Sequence, residues 1–213
     1  MKKLINYILN ILFPLECLGC GKNDYLLCED CLSKIEDYNG EKVIPETVSK
    51  VLICASYKNA LIKKIVHFYK YKYISDLCFP LSKLIIKKYE SEFNKILNPI
   101  VVCAPLSKKR FNLRCYNQAE LLSREFSEHF NYKFLPNLIA KTRHTKQQAK
   151  LNREERLLNL KDSFTVSDCD ICKNQNFIII DDIYTTGATV NEIAKVLKQN
   201  GANQIWAIVI AKD

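Results

Sequence analysis

The stretch FIIIDDIYTTGATV, Phe177–Val190, decides how the chain is read. Four apolar residues run into two adjacent carboxylates, Asp181 and Asp182, and three threonines and a glycine follow. Residues 177–181 read as a strand. A helix then runs to about Asn200 and stops at Gly201, which suits a left-handed C-cap. In open α/β sheets ligands sit beyond the carboxyl ends of the strands, which is where the two acids fall. The loop Tyr184-Thr185-Thr186-Gly187-Ala188-Thr189 leads into the helix, whose first N–H groups and dipole favour phosphate. Thr185, Thr186 and Thr189 add hydroxyl donors, and Gly187 lets the backbone come close to a ligand. Two carboxylates would repel a bare phosphate. They make sense beside a neutral polyol, because carboxylates accept hydrogen bonds from ribose hydroxyls and one can also face Mg2+. The implied ligand is a ribose 5-phosphate.

Working outward, VLICASY (51–57) reads as a buried strand and NALIKKIVHFYK (59–70) as a helix, with Leu61, Ile62, Ile65, Val66 and Tyr69 at helical spacing. A longer helix is expected over about 76–97, with Pro80 near its start. PIVVCAP (99–105) is a short strand entering a basic loop that holds Lys108, Lys109, Arg110 and Arg114. NQAELLSREFSEHF (117–130) is helical, 141–164 is charged and poor in apolar residues, and QIWAIVI is a last strand. Strands alternating with helices from residue 99 onward predict a parallel α/β sheet. FIIIDD also looks like part of a nucleotide triphosphatase. The five glycines, at 19, 21, 40, 187 and 201, build no G-x-x-x-x-G-K-[ST] loop, which excludes that class.

Of ten cysteines, four form two C-x2-C knuckles, Cys17/Cys20 and Cys28/Cys31. Four thiolates so spaced can surround one Zn2+ in a closed, structural site, and Gly19 and Gly21 allow the tight turn. Two disulfides are the alternative, and they suit a secreted chain, for which nothing here speaks. Cys169 and Cys172 form a third pair without a partner pair. Cys54, Cys78 and Cys103 sit in apolar surroundings and read as core. A polar stretch near Gly40 and Pro45 divides the chain into residues 1–45, an apolar helix plus the four-cysteine module, and a domain over 46–213. Leu4, Ile5, Ile8, Leu9, Ile11 and Leu12 fit one face of an amphipathic helix docked on the protein, with a membrane-surface helix as the other option. No apolar run reaches the length of a membrane span. The 213 residues suffice for one good core, 48% apolar and 26% charged is an ordinary globular composition, and the net charge of +9 favours polyanionic partners. The excess of lysine over arginine also fits a compositional bias.

The opening stretch is similar to the 5-phosphoribosyl 1-pyrophosphate (PRPP) signature of type I phosphoribosyltransferases, and nearly the whole chain resembles the competence protein F (ComF) family. YKNALIKKIVHFYKYK and APLSKKRFNLRCYNQAELL resemble two further blocks of that family. Arg143, Thr145, Gln148, Leu151, Arg156, Asn159 and Phe164 match its R-x-T-x-x-Q…L-x-x-x-x-R-x-x-N…F block. Cys115 and Tyr73 stand where the family usually has glycine. The resemblance implies a type I phosphoribosyltransferase-like parallel sheet flanked by helices, with a small N-terminal zinc module of four cysteines. It implies PRPP held with Mg2+ by Asp181, Asp182 and the residues Thr185, Thr186, Gly187, Ala188 and Thr189, its pyrophosphate meeting Lys108, Lys109, Arg110 and Arg114. It also implies a cytoplasmic place, at the inner face of the membrane, where incoming single-stranded DNA is handled beside an uptake helicase and channel. Single-strand binding wants cations interleaved with aromatic platforms, as in HFYKYKY (67–73), although such a stripe more often reads as half core and half solvated helix. The alternative is an active phosphoribosyltransferase that transfers phosphoribosyl to an unidentified base or amine.

Overall fold

In a computed structural model of the chain, residues 15–41, 44–142 and 160–213 are described. The expected helix over residues 4–12 and the stretch from Arg143 to Asn159 lie outside them. A short helix α1 (Glu29–Ser33) comes first, then β1 (Lys50–Ser56), α2 (Ala60–Tyr71), a 3-10 turn at Ser75–Leu77 and α3 (Cys78–Phe93). β2 (Ile100–Cys103), α4 (Lys108–Arg114), α5 (Gln118–Phe130) and β3 (Lys133–Phe134) follow. β4 (Ile139–Lys141) and β5 (Phe164–Val166) pair with each other, and the chain continues through β6 (Phe177–Tyr184), α6 (Ala188–Gln199) and β7 (Ile205–Lys212).

Five strands form one parallel sheet in the order β1-β7-β6-β2-β3. The run Phe177–Ile180 does not alternate because both faces of β6 are covered, as parallel sheets require. Side chains still alternate in direction along the strand. Ile178 and Ile180 join Trp206, Ile208 and Ile210 of β7 in a core under α2, α3 and α5. Phe177 and Ile179 join Ile205, Ala207 and Val209 in a second core under α6 and the β4–β5 pair. Each buried isoleucine or valine among them contributes roughly 1.5–3 kcal/mol to stability.

Three local differences from the sequence reading have physical causes. The expected helix 76–97 is shorter, its last turn tightening into i→i+3 bonds from Lys95 to Glu92 and from Ile96 to Phe93. Pro80 sits in its first turn, where a missing N–H breaks no helical bond. The basic loop after β2 is in fact the helix α4, which hides no apolar face because none of its residues is buried. Its ends are fixed by Ser107 Oγ, which accepts from the Arg110 N–H, and by Cys115 in the left-handed region at φ 62°. Strand β6 runs on to Tyr184, so Asp181 and Asp182 lie within it rather than beyond it.

The cysteine module packs against the first core. Cys17, Leu27, Cys28, Cys31, Leu32 and Ile35 share it with residues of α2 and α3.

Candidate functional site

The strand order explains where a pocket must open. From β2 the chain moves outward to β3 on one side, and from β6 it moves outward to β7 on the other. The crossovers therefore diverge at the carboxyl ends of β2 and β6 and leave a crevice between them. A cavity of about 300 Å3 lies there. Its wall includes Ala104, Pro105 and Leu106 after β2, and Asp181, Asp182, Thr185 and Thr189 from β6 and the turn beyond.

The same period-two alternation that builds the cores separates the two acids. Adjacent strand residues point to opposite faces, so Asp182 turns toward α2 and Asp181 toward the β4–β5 side. Asp182 meets Lys70 on the last turn of α2, Oδ1 to Nζ 2.8 Å, with both side chains 15% exposed. Asp181 Oδ1 accepts from the Asp182 N–H at 2.8 Å. Burial, and then the charge of Asp182, push the Asp181 carboxyl up to about 7, against the pull of that N–H, Lys70 and Arg110. The two carboxylates are thus partly buried and stand in different environments.

Four cations reach the cavity: Lys70, Arg110, Arg114 and Lys141. Arg110 and Arg114, one turn apart on α4, share a face. Arg114 donates to Gln118 Oε1 at 3.0 Å, and its guanidinium lies 5.2 Å from the centre of the Tyr71 ring. Lys141 Nζ stands 5.5 Å from the centre of Phe164, and both line the wall. Burial, then the nearby Arg110, depress the Lys141 ammonium to about 8. Of the basic residues picked from sequence, Arg110 and Arg114 line the cavity, while Lys108 and Lys109 are exposed and lie outside its wall. Thr186, Gly187 and Ala188 shape the turn without lining it: Gly187 has φ 77°, and Thr186 Oγ1 accepts from the Ala188 N–H at 3.3 Å. A side chain at Gly187 would run into the Tyr184 hydroxyl.

Sequence reading missed Lys70, Lys141, Tyr71 and Phe164 as members of this site. HFYKYKY is part core and part solvated, as its helical reading had it, and part of it also enters the site. Tyr69 is core, Lys70 and Tyr71 line the cavity, and Lys72 and Tyr73 are exposed. The glycine positions of the ComF pattern carry a signal here: Tyr73 and Cys115 both adopt positive φ, 59° and 62°.

A second site lies in the N-terminal module. The sulfurs of Cys17, Cys20, Cys28 and Cys31 all lie within 4.8 Å of one another, with Cys20 and Cys28 at 3.6 Å. A disulfide would bring two sulfurs to about 2 Å, and all four thiols are free. A tetrahedron with metal–sulfur bonds of about 2.3 Å has edges of about 3.8 Å, so the four can hold one metal ion. The Cys28 N–H donates to Cys17 Sγ at 3.3 Å. Burial raises the Cys17 thiol, but the N–H groups of Cys20, Cys28 and Gly19 outweigh it and bring it down to about 6. A Cβ on Gly19 would stand 2.6 Å from Cys31 Sγ, so this glycine makes room for the knuckle, while Gly21 supplies the left-handed turn at φ 76°. Cys54, Cys78, Cys103 and Cys172 are buried and Cys169 is exposed.

Fold and site together define an α/β protein with a pocket of acids, threonines and cations at the switch point of a parallel sheet, and four close thiols at its N-terminal side that could hold a metal ion. Over nine-tenths of its length the chain is a homologue of proteins named for competence and DNA use. It is 28% identical to Competence protein F of Haemophilus influenzae over 92% of this chain and 90% of that protein. It is 28% identical to DNA utilization protein YhgH of Escherichia coli over 90% and 82%, and 29% identical to Competence protein ComFC of Streptococcus pneumoniae over 90% and 97%. No family model matches the chain. Similar solved structures include adenine phosphoribosyltransferase from Saccharomyces cerevisiae, at a TM-score of 0.41 and 17% identity over 65% of this chain and 69% of that one. A hypoxanthine phosphoribosyltransferase from Staphylococcus aureus has a TM-score of 0.36 and 14% identity over 67% and 64%. Among the described residues no helix is long and apolar enough to cross a membrane.

Proposed function

We propose that this chain binds a ribose 5-phosphate, either PRPP or a close relative, in the cavity between β2 and β6, and that it serves in the handling of single-stranded DNA. The observation that carries the ligand reading is convergence. Asp181, Asp182, Thr185 and Thr189 share one cavity wall with Arg110 and Arg114, which come from a separate segment of the chain. The threonine turn at the start of α6 suits the 5-phosphate, the acids suit the ribose hydroxyls, and the two arginines suit a pyrophosphate. Mg2+ would accompany PRPP, where it neutralises the pyrophosphate. The DNA reading rests on the names of the relatives and on the net charge of +9, with Lys108 and Lys109 exposed beside the pocket. It brings with it a cytoplasmic place near the membrane and partners in an uptake helicase and channel. The four thiols, with no oxygen ligand among them, suit zinc in a structural role.

Calorimetry with PRPP and Mg2+ tests the ligand. Wild type should bind, and the protein with both Asp181→Ala and Asp182→Ala should not, while keeping its circular dichroism. Unchanged affinity in the double variant would sink the assignment.

One observation favours the enzyme reading. Phe164 offers a flat apolar wall in the same cavity, under a lysine whose charge is weakened. A planar acceptor could rest on it. Acceptor-dependent release of pyrophosphate from PRPP, across a panel of bases and amines, would establish that activity.

A further inference from the structure

Lys70 is the unexpected member of the site. It comes from the crossover between β1 and β2, far in sequence from the acid pair, and pairs with Asp182 at 2.8 Å in a setting where both side chains are only 15% exposed. Its helix end is held firmly. Tyr69 Oη donates to the Gln118 carbonyl at 2.8 Å, the Tyr69 carbonyl accepts from Tyr116 Oη, and Gln118 Nε2 reaches the same carbonyl at 3.4 Å. The next residues leave the helix through Lys72, which donates to Phe68 O, and Tyr73 in the left-handed region. Lys70 is thus an ammonium fixed in place by the fold, so little side-chain freedom remains to be lost when a ligand arrives.

The charges around the acids explain what such a cation does. An ammonium already paired with a carboxylate competes with a divalent ion for it. Here Asp182 Oδ1 faces Lys70, while Asp181 turns to the other side of the strand and feels both Lys70 and Arg110. Arg114 and Lys141 add further positive charge to the wall.

We propose that Lys70 is the resident cation of the acid pair: it holds Asp182 in position to accept from a ribose hydroxyl, and it makes binding of ribose 5-phosphate independent of divalent metal. Lys70 is therefore a positioning residue. Mg2+ enters with a pyrophosphate and is not required by the sugar. This rests on the ribose-phosphate reading of the cavity.

The test is calorimetry with ribose 5-phosphate in EDTA and in millimolar Mg2+, on wild type, Lys70→Met and Lys70→Arg, with melting curves to verify folding. Wild type should bind equally well in both buffers. Lys70→Met should lose about tenfold in EDTA, or ~1.4 kcal/mol, and recover part of the loss in Mg2+, because the freed Asp182 then accepts a metal. Lys70→Arg should keep metal-independent binding. Mn2+ titrated alone should bind Lys70→Met more tightly than wild type. A wild type that binds only with Mg2+, or a Lys70→Met that binds as wild type does in EDTA, overturns the role of Lys70 and leaves the pocket reading standing. A wild type that binds ribose 5-phosphate in neither buffer overturns the pocket reading, and the role of Lys70 falls with it.

Discussion

Two residues held in uncommon conformations, Tyr73 and Cys115, lie just past the C-terminal ends of α2 and α4. An L-residue in the left-handed region costs about 1–2 kcal/mol relative to glycine, part of which glycine returns by loosening the unfolded chain. Cys115→Gly should therefore stabilise the protein by about 0.5–1 kcal/mol, read as a higher urea midpoint at unchanged slope. Gly187→Ala should do the reverse, because its φ of 77° is combined with a collision at the Tyr184 hydroxyl. Asp181 carries a second residue-scale consequence. Its folded carboxyl is raised to about 7, mainly by burial, whereas the unfolded value is the ordinary one. The folded state then holds a proton that the unfolded state gives up, so stability falls as the pH climbs from about 4 through 7. Asp181→Asn removes that dependence. Its melting temperature should exceed that of wild type by on the order of 5 °C at pH 8, with the gap closing near pH 4. The acids themselves were plain in the sequence. The fact that they serve opposite faces follows from strand periodicity, but only once β6 is known to run past them. Lys70 could not be assigned at all, since no local pattern marks which lysine of α2 meets an acid more than a hundred residues on.

At the scale of elements, α4 separates two uses of positive charge. Arg110 and Arg114 line the cavity, and Lys108 and Lys109 are exposed. Replacing either arginine with alanine should weaken PRPP by about 10–100-fold, since a hydrogen bond to a charged group is worth roughly 1.5–3 kcal/mol. Replacing both lysines should leave PRPP affinity nearly unchanged. If single-stranded DNA crosses this face, losing the lysines should flatten its salt dependence by roughly 0.7 for each lost contact. A slope unchanged in the lysine variant places the strand elsewhere, with Tyr71 and Tyr73 the next surface to probe. This helix was read as a loop because helical periodicity is a record of burial, and α4 buries nothing. β4 and β5 went unseen for a different cause: three residues each are too few to show a period. The longer helices and β6 were legible because each has apolar residues enough to declare a face or a doubly covered strand.

At the scale of the molecule, the cysteine module and the sheet share one core. Leu32 is 2% exposed and packs with residues of α2 and α3, so the four thiols brace the same structure that presents Lys70. Purified protein should hold about one zinc per chain. Cys31→Ser should lose it, and the melting temperature should drop by on the order of 10 °C in a single transition, measured by calorimetry beside metal analysis. Two separate transitions, or full metal content in the variant, would show that the module stands apart or that the ligands are others. The strand order has a last consequence, for the history of the chain. β7 lies between β1 and β6, yet it is made after both. Until residues 205–212 leave the ribosome, β1 has no neighbour and the two halves of the sheet cannot meet. The nascent protein therefore carries an open apolar strand edge until β7 is made, a template for unwanted pairing. Because Lys70 and Tyr71 come from α2 and Asp213 follows β7, the pocket too is completed only when this strand slides between β1 and β6, as a keystone does in an arch.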